Sequence, residues 1–189
     1  SVTGSAAWLG EPEKNSALLA VDEINARGGI DGRKIELIVE DTEGDDTKGV
    51  LAAKKLIGQD KVIAIVGPSR SGTSMAVVPI ATENEVPLIS CAAAASIVVP
   101  VAERQWVFKT PQMDSDAVIR IYEHMLSKGI TRIGILSGTT GFGKEGRDHL
   151  KRLAPEMGIE ILADETYNPT DTDMTAQLTK IKASEAQIG

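Results

Sequence analysis

Short apolar runs alternate along this chain with stretches whose apolar residues recur every three or four positions. Residues 13–27 set Ala17, Val21 and Ile24 on one face with Asp22, Glu23 and Arg27 opposite, and they stop at Gly28-Gly29. That is the pattern of an amphipathic helix ended by glycine. Residues 34–40, Lys-Ile-Glu-Leu-Ile-Val-Glu, have the length and β-branched content of a strand. Val50, Ala53 and Ile57 predict a helix over 47–58. The continuous run 62–66, Val-Ile-Ala-Ile-Val, predicts a parallel strand covered on both faces. A helix over 71–84 and a short strand over 86–90 complete a βαβαβ series. Right-handed crossovers wind such a series into a parallel sheet with helices on both sides.

After Cys91 the alternation pauses in an alanine run, Ala92 to Ala95, and an irregular stretch through Trp106. A second series follows. It comprises a helix over 116–127 (Val118, Ile121, Tyr122 and Met125 on one face), a strand over 132–136 and a helix over 144–157. Leu150, Leu153, Ala154 and Met157 turn inward on that helix, and Pro155 is expected to shorten its end. A strand over 159–162 and a helix over 173–183 carrying Met174, Leu178 and Ile181 close the series. Two parallel strands alone do not bury their faces. Residues 1–10 read as a loop with no strand before the first helix, and the second series stops after a helix, where a strand is due. The expectation is a partial chain.

Composition changes this picture little. Hydrophobic residues are 42% and charged residues 25% of the 189, ordinary for a globular domain. The net charge of -7 argues against a nucleic-acid surface or an anionic-membrane patch. No apolar run approaches the roughly 20 residues of a membrane helix, and no leader pattern opens the chain. The single cysteine, Cys91, excludes an intrachain disulfide and a cysteine metal cluster.

In open parallel sheets, ligands bind beyond the carboxyl ends of the strands, where loops enter helices. Two such loops carry chemistry. Residues 66–74, Val-Gly-Pro-Ser-Arg-Ser-Gly-Thr-Ser, follow the most apolar strand. Ser71 is predicted as N-cap there, with Gly72 and Thr73 offering backbone N–H groups, a ready site for a carboxylate or phosphate. A serine cap that binds nothing is the competing reading. Residues 138–146, Gly-Thr-Thr-Gly-Phe-Gly-Lys-Glu-Gly, nearly match a phosphate-binding P-loop. Glu145, however, stands where a Ser or Thr should hold magnesium, and its charge repels phosphate. Phe142 in that glycine-bounded loop either covers an apolar ligand face or caps its own domain's core.

Other candidates fall away. Residues 67–71 lack the last glycine of a nucleophile elbow. His124 and His149 lie within predicted helices, at positions expected to be solvated, so no Ser–His pair arises. Asp41, Glu43, Asp45 and Asp46 do not fit a calcium loop and read as a solvated turn with helix-capping carboxylates. Cys91 reads as a small packed residue. No metal and no cofactor are expected.

Together these residues resemble a known family. Trp8, Asn15 and Ala17, then residues 20–32, Ala-Val-Asp-Glu-Ile-Asn-Ala-Arg-Gly-Gly-Ile-Asp-Gly, resemble the start of the branched-chain amino-acid-binding proteins. Residues 66–73, 86–90, 108–116, 141–146 and 171–182 recur in the family's order, so the resemblance spans essentially the whole chain. It implies an α/β periplasmic-binding-protein fold of type I, with two doubly wound parallel-sheet lobes joined by hinge crossovers and closing on ligand. Residues 1–111 would then be a first lobe lacking its first strand, and 112–189 a hinge crossover with part of the second lobe. By position, Ser71 with its neighbouring amides, Gly72 among them, matches the group that holds the ligand's carboxylate. Ala92 and Ala94 match strand-end positions that contact the carboxylate and amino group. Phe142 matches an aromatic of the second lobe, and Trp8 a loop lining the cleft.

The resemblance implies a non-enzymatic solute-binding component of an ABC importer, partnered by a membrane permease. It would be periplasmic or extracellular, and lipid-anchored in a Gram-positive cell. Ala94 departs from the Ser or Thr usual in amino-acid binders. A branched-chain or other amino acid is the default ligand, and aromatic or keto acids without an amino group stay open beside it. A sensor domain of the same fold, in a receptor or an amide- or aromatic-acid-responsive regulator, is a second reading. A P-loop or flavodoxin-like enzyme is a third, opposed by Glu145 and the lack of a paired base.

Overall fold

Two glycines in left-handed backbone, Gly28 (φ 101°) and Gly29 (φ 78°), stop the first helix where the sequence predicts its end. A side chain at Gly29 would collide with the Arg33 carbonyl, so the turn requires glycine. The computed structural model describes residues 1–189. It shows this helix, α1 (Ala7–Ala26), starting well before residue 13 and running through Pro12. Gly10 reads as a loop residue in sequence. In the structure it is the point where α1 presses on the N-terminal segment, its missing Cβ making room for the Ser1 carbonyl. Trp8 therefore lies in the first turn of a helix and not in a loop.

The chain divides into two compact units, Ser1–Ala92 with Ile97–Thr110, and Ala93–Ser96 with Pro111–Gly189. The first holds α2 (Asp46–Gly58), β1 (Ile65–Val66), α3 (Ser71–Glu83), β2 (Leu88–Ser90) and β3 (Val107–Lys109). The strands form a parallel sheet in the order β1-β2-β3. In its register Leu88 sits between Ile65 and Val107. All three are buried, together with Val77, Val78 and Ala81 of α3, because alternate residues of a strand share a face.

The other face departs from expectation. The run 62–66 predicts cover on both sides, yet Val66 is 66% exposed and Phe108 53%, and Ile63, in a bend before β1, is 91% exposed. Leu18 and Leu19 of α1 are exposed as well. Apolar composition records what a strand can bury, not whether a helix lies on its second face.

The predicted strand over 34–40 forms no ladder. A helix side chain supplies its hydrogen bonds where a neighbouring strand would. Asn25 Nδ2 donates to the Ile35 carbonyl at 2.8 Å, and the Ile35 amide donates to Asn25 Oδ1 at 2.7 Å. The acidic turn that follows behaves as predicted. Asp45 caps α2 by accepting from the Lys48 amide at 2.8 Å.

Asp41 in the same turn collects the amides of Val2, Thr3 and Glu43 and the Thr3 hydroxyl. Burial works to raise its carboxyl, but these donors outweigh it and hold the pKa at about 2. A folded-state pKa below the unfolded value gives stability that is present above about pH 4 and lost as pH falls toward 2. The stability gap between wild type and Asp41→Asn, measured by urea unfolding, should be constant near neutrality and narrow between about pH 5 and pH 2.

The second unit holds α4 (Asp114–Ser127), β4 (Arg132–Gly138), α5 (Gly141–Glu156), β5 (Glu160–Tyr167) and α6 (Thr175–Ala183). Strands β4 and β5 pair in parallel, with an irregularity between Ile133 and Gly134. Ile188 bridges Ile133 on β4, and its carbonyl accepts the Gly134 amide at 2.8 Å. Val118 and Tyr122 of α4, Ile133 of β4, Leu153 and Ala154 of α5, and Ile159 form the core. Gly134 lets α6 approach, since a Cβ there would press within 2.6 Å of Ile181 Cγ2. Pro155 does not cut α5 short. It sits in the last turn, which runs on to Glu156 before Gly158 (φ 74°) ends it.

Candidate functional site

The loop after β1 is built from hydroxyls whose partners the structure names. Arg70, not Ser71, is the N-cap of α3, in extended backbone (φ -111°, ψ 143°) and giving the first turn no side-chain acceptor. Its guanidinium is drawn to the Gly44 carbonyl, which accepts Nη1 at 2.6 Å, and this shifts the helix start by one residue. Ser71 and Gly72 thereby become the first two helical residues of α3. Ser71 is buried. The helix dipole adds positive potential at the same place.

Two features of this terminus escape a sequence reading. Asp46, the first residue of α2, leans over it. Its Oδ1 accepts from the Thr73 hydroxyl at 2.7 Å, and a Cβ at 72 would crowd the carboxylate at 3.1 Å. One flank of the terminus therefore already faces an anion. The second feature is a hydroxyl chain beneath the loop, Ser74 Oγ to Ser90 Oγ at 2.7 Å and the Ala92 amide to Ser90 Oγ at 3.1 Å. A small polar residue at 74, one turn into an apolar helix, and another at the end of an apolar strand were the available signal. That chain ties Ser74, in the first turn of α3, to Ala92, beyond the end of β2.

Ala92 is buried, and its amide is committed to Ser90. Ala94 belongs to the other unit and is 0% exposed. Trp8 is 73% exposed on α1, the helix whose Glu13 accepts the Ser69 hydroxyl at 2.5 Å. Cys91 is half-buried at the strand's end, where burial, the largest influence, pushes its thiol up. This suits a packed residue rather than a reactive one.

In the second unit, Thr140 caps α5 by accepting from the Gly143 amide at 3.2 Å. The helix begins at Gly141 rather than 144, because a threonine cap outweighs the two glycines behind it. Phe142 lies in its first turn, 56% exposed and outside the core, so the core-capping reading does not hold. Glu145 faces Ser96, whose amide and hydroxyl donate to its two carboxylate oxygens. His149, expected to be solvated, has a side chain only 17% exposed and stands against Asp114 and Glu145. A cleft of about 280 Å³ lies away from these loops, along the later turns of α3, lined by Met75, Val78, Pro79, Glu83 and Arg104 among others.

The family model for periplasmic binding proteins matches residues 1–189. A Leu/Ile/Val-binding protein of Rhizobium johnstonii is 30% identical over 187 residues, covering 99% of this chain and 51% of that protein. A periplasmic binding protein type 1 from Bordetella pertussis superposes with a TM-score of 0.91 at 27% identity, over 100% of this chain and 52% of that one. The branched-chain amino acid transporter substrate binding protein LivJ of Streptococcus pneumoniae, in complex with isoleucine, gives 0.80 at 34% identity, over 96% and 51%. The chain spans about half the length of these relatives.

Proposed function

The chain belongs to the periplasmic binding protein family, and we propose that it serves as the solute-binding component of an ABC importer, taking a small carboxylate in the periplasm or at the cell surface. The observation that carries this reading is the start of α3. Arg70 gives its first turn no side-chain acceptor, and Ser71 and Gly72 stand at its head beyond the end of parallel strand β1. Such a terminus holds an anionic oxygen through backbone donors and the helix dipole. Asp46 beside it disfavours a doubly charged group such as phosphate. A single carboxylate suits the arrangement better.

The relatives named for Leu/Ile/Val binding, and the isoleucine complex, support a branched-chain or other aliphatic amino acid as ligand. Phe142 and Trp8, both exposed aromatics, are the residues we assign to the ligand's apolar part, and the partner on the membrane is a permease. This reading involves no bond-making step.

The test is calorimetry on the intact protein with leucine, isoleucine and valine, set against the keto acid of leucine. Ser71→Ala should weaken binding by about 1.5–3 kcal/mol, roughly 10- to 100-fold, the worth of a hydrogen bond to a charged group. Equal affinity in wild type and Ser71→Ala would put the anchor elsewhere. Preference for the keto acid would fit the methyl of Ala94 where amino-acid binders carry a hydroxyl. Binding of none of the four would overturn the reading.

A further inference from the structure

We propose that Asp114, Glu145 and His149 form a binding site for a divalent transition-metal ion, wholly inside the second unit and independent of the carboxylate site. Glu145 and His149 are four residues apart on α5, so they share one face of the helix. Asp114 is the first residue of α4. Their geometry is that of ligands rather than of hydrogen-bonded partners. His149 Nε2 lies 3.4 Å from Asp114 Oδ1 and 3.6 Å from Glu145 Oε1. One donor atom from each residue falls within 4.8 Å of the others. Ordinary N–H···O bonds are about 2.7–3.2 Å long. Tetrahedral ligands at about 2.0–2.2 Å from an ion are roughly 3.3–3.6 Å apart.

The second observation is what these atoms lack. Asp114 is 7% exposed, and its Oδ2 has no hydrogen-bond partner, nor does the buried Nε2 of His149. A buried carboxylate oxygen left unpaired is destabilising. Two carboxylates and one imidazole converge here, a donor set that a divalent cation would hold together.

The surroundings hold the set in place. Glu145 Oε1 accepts the Ser96 amide at 2.8 Å and Oε2 the Ser96 hydroxyl at 2.5 Å. Asp114 Oδ1 accepts the Ser115 amide at 3.1 Å. Outer partners of this kind orient metal-binding carboxylates. His149 Nδ1 lies 3.3 Å from Arg152 Nη2. Ligation through Nε2 puts the imidazole proton on Nδ1, and the Arg152 side chain, 54% exposed, withdraws into solvent. One imidazole with two carboxylates suits Zn²⁺ or Mn²⁺, whereas Ca²⁺ and Mg²⁺ prefer oxygen throughout. Water completes the coordination.

The probe is zinc chloride alone, with no amino acid present, so the outcome does not depend on the carboxylate ligand. Titration calorimetry on the intact protein should show one zinc per chain and thermal melting a rise in Tm with zinc. His149→Gln and Asp114→Asn should each weaken zinc by at least about 10-fold, the loss that follows removal of even an outer partner. Arg152→Ala should leave zinc affinity equal or higher. His124→Gln, the same change at the other histidine, should leave it unchanged. Circular dichroism without metal checks that each variant folds, and if Asp114→Asn does not, His149→Gln decides. No saturable zinc binding by the wild type would overturn the proposal, leaving the trio as a histidine between two acids. So would equal affinity in His149→Gln, or an equal loss in His124→Gln.

Discussion

Tyr122→Ala is expected to destabilise the second unit by about 3–5 kcal/mol, the range for truncating a fully buried aromatic. Tyr122 is 0% exposed and packs within the cluster of Val118, Ile133, Leu153, Ala154 and Ile159. Its hydroxyl donates to the Leu150 carbonyl at 2.8 Å, joining α4 to α5. Tyr122→Phe keeps the ring and loses only that bond, so it should cost about 0.5–1.5 kcal/mol. Burial also pushes the Tyr122 hydroxyl up to about 12. Its unfolded value is about 10, so the stability tied to it is intact below about pH 10 and lost as pH rises through 12. Urea midpoints at an unchanged slope measure both substitutions. A Tyr122→Ala cost no larger than that of Tyr122→Phe would mean that the ring does not hold the core.

Leu88→Ala should cost about 2–5 kcal/mol in the first unit. Leu88 is 0% exposed on the middle strand, paired with Ile65 on one side and Val107 on the other. Its loss opens a cavity that three short strands and α3 cannot all close upon. Ile63→Ala is the matched control. Ile63 is equally apolar and lies in the predicted strand run 62–66, but at 91% exposure its truncation should change stability by no more than about 0.5 kcal/mol. Composition alone would rank the two alike.

That contrast marks how far the sequence is legible. Periodicity places α2, α3, α4 and α6 within a residue or two, and the parallel order of the strands follows from their apolar runs and intervening helices. It places the start of α1 and of α5 poorly, because Gly10, Pro12, Gly141 and Gly143 carry loop composition into helices that a close approach and a threonine cap hold together. It misreads residues 34–40, since β-branched content cannot say whether a strand edge or the amide of Asn25 will meet the backbone. At the candidate site, the hydroxyl-rich loop and its helix are evident from spacing. Arg70 as the cap and Asp46 as the neighbouring anion are not, because both depend on contacts between residues more than twenty positions apart. His149 escapes for the same reason. The spacing predicts its helix, but which side of it meets Asp114 is settled by packing.

The open side of the three-strand sheet has a colloidal consequence. Val66 and Phe108 present apolar surface to water, and two such faces meeting would remove it from solvent on both partners. A charge of -7 on every copy opposes that encounter at low ionic strength. Near 0.1 M salt the field between copies dies away within about 10 Å, while the attraction between apolar faces is undiminished. Concentrated solutions of this chain are therefore kept dispersed by dilute buffer, and salt acts on them as an adhesive.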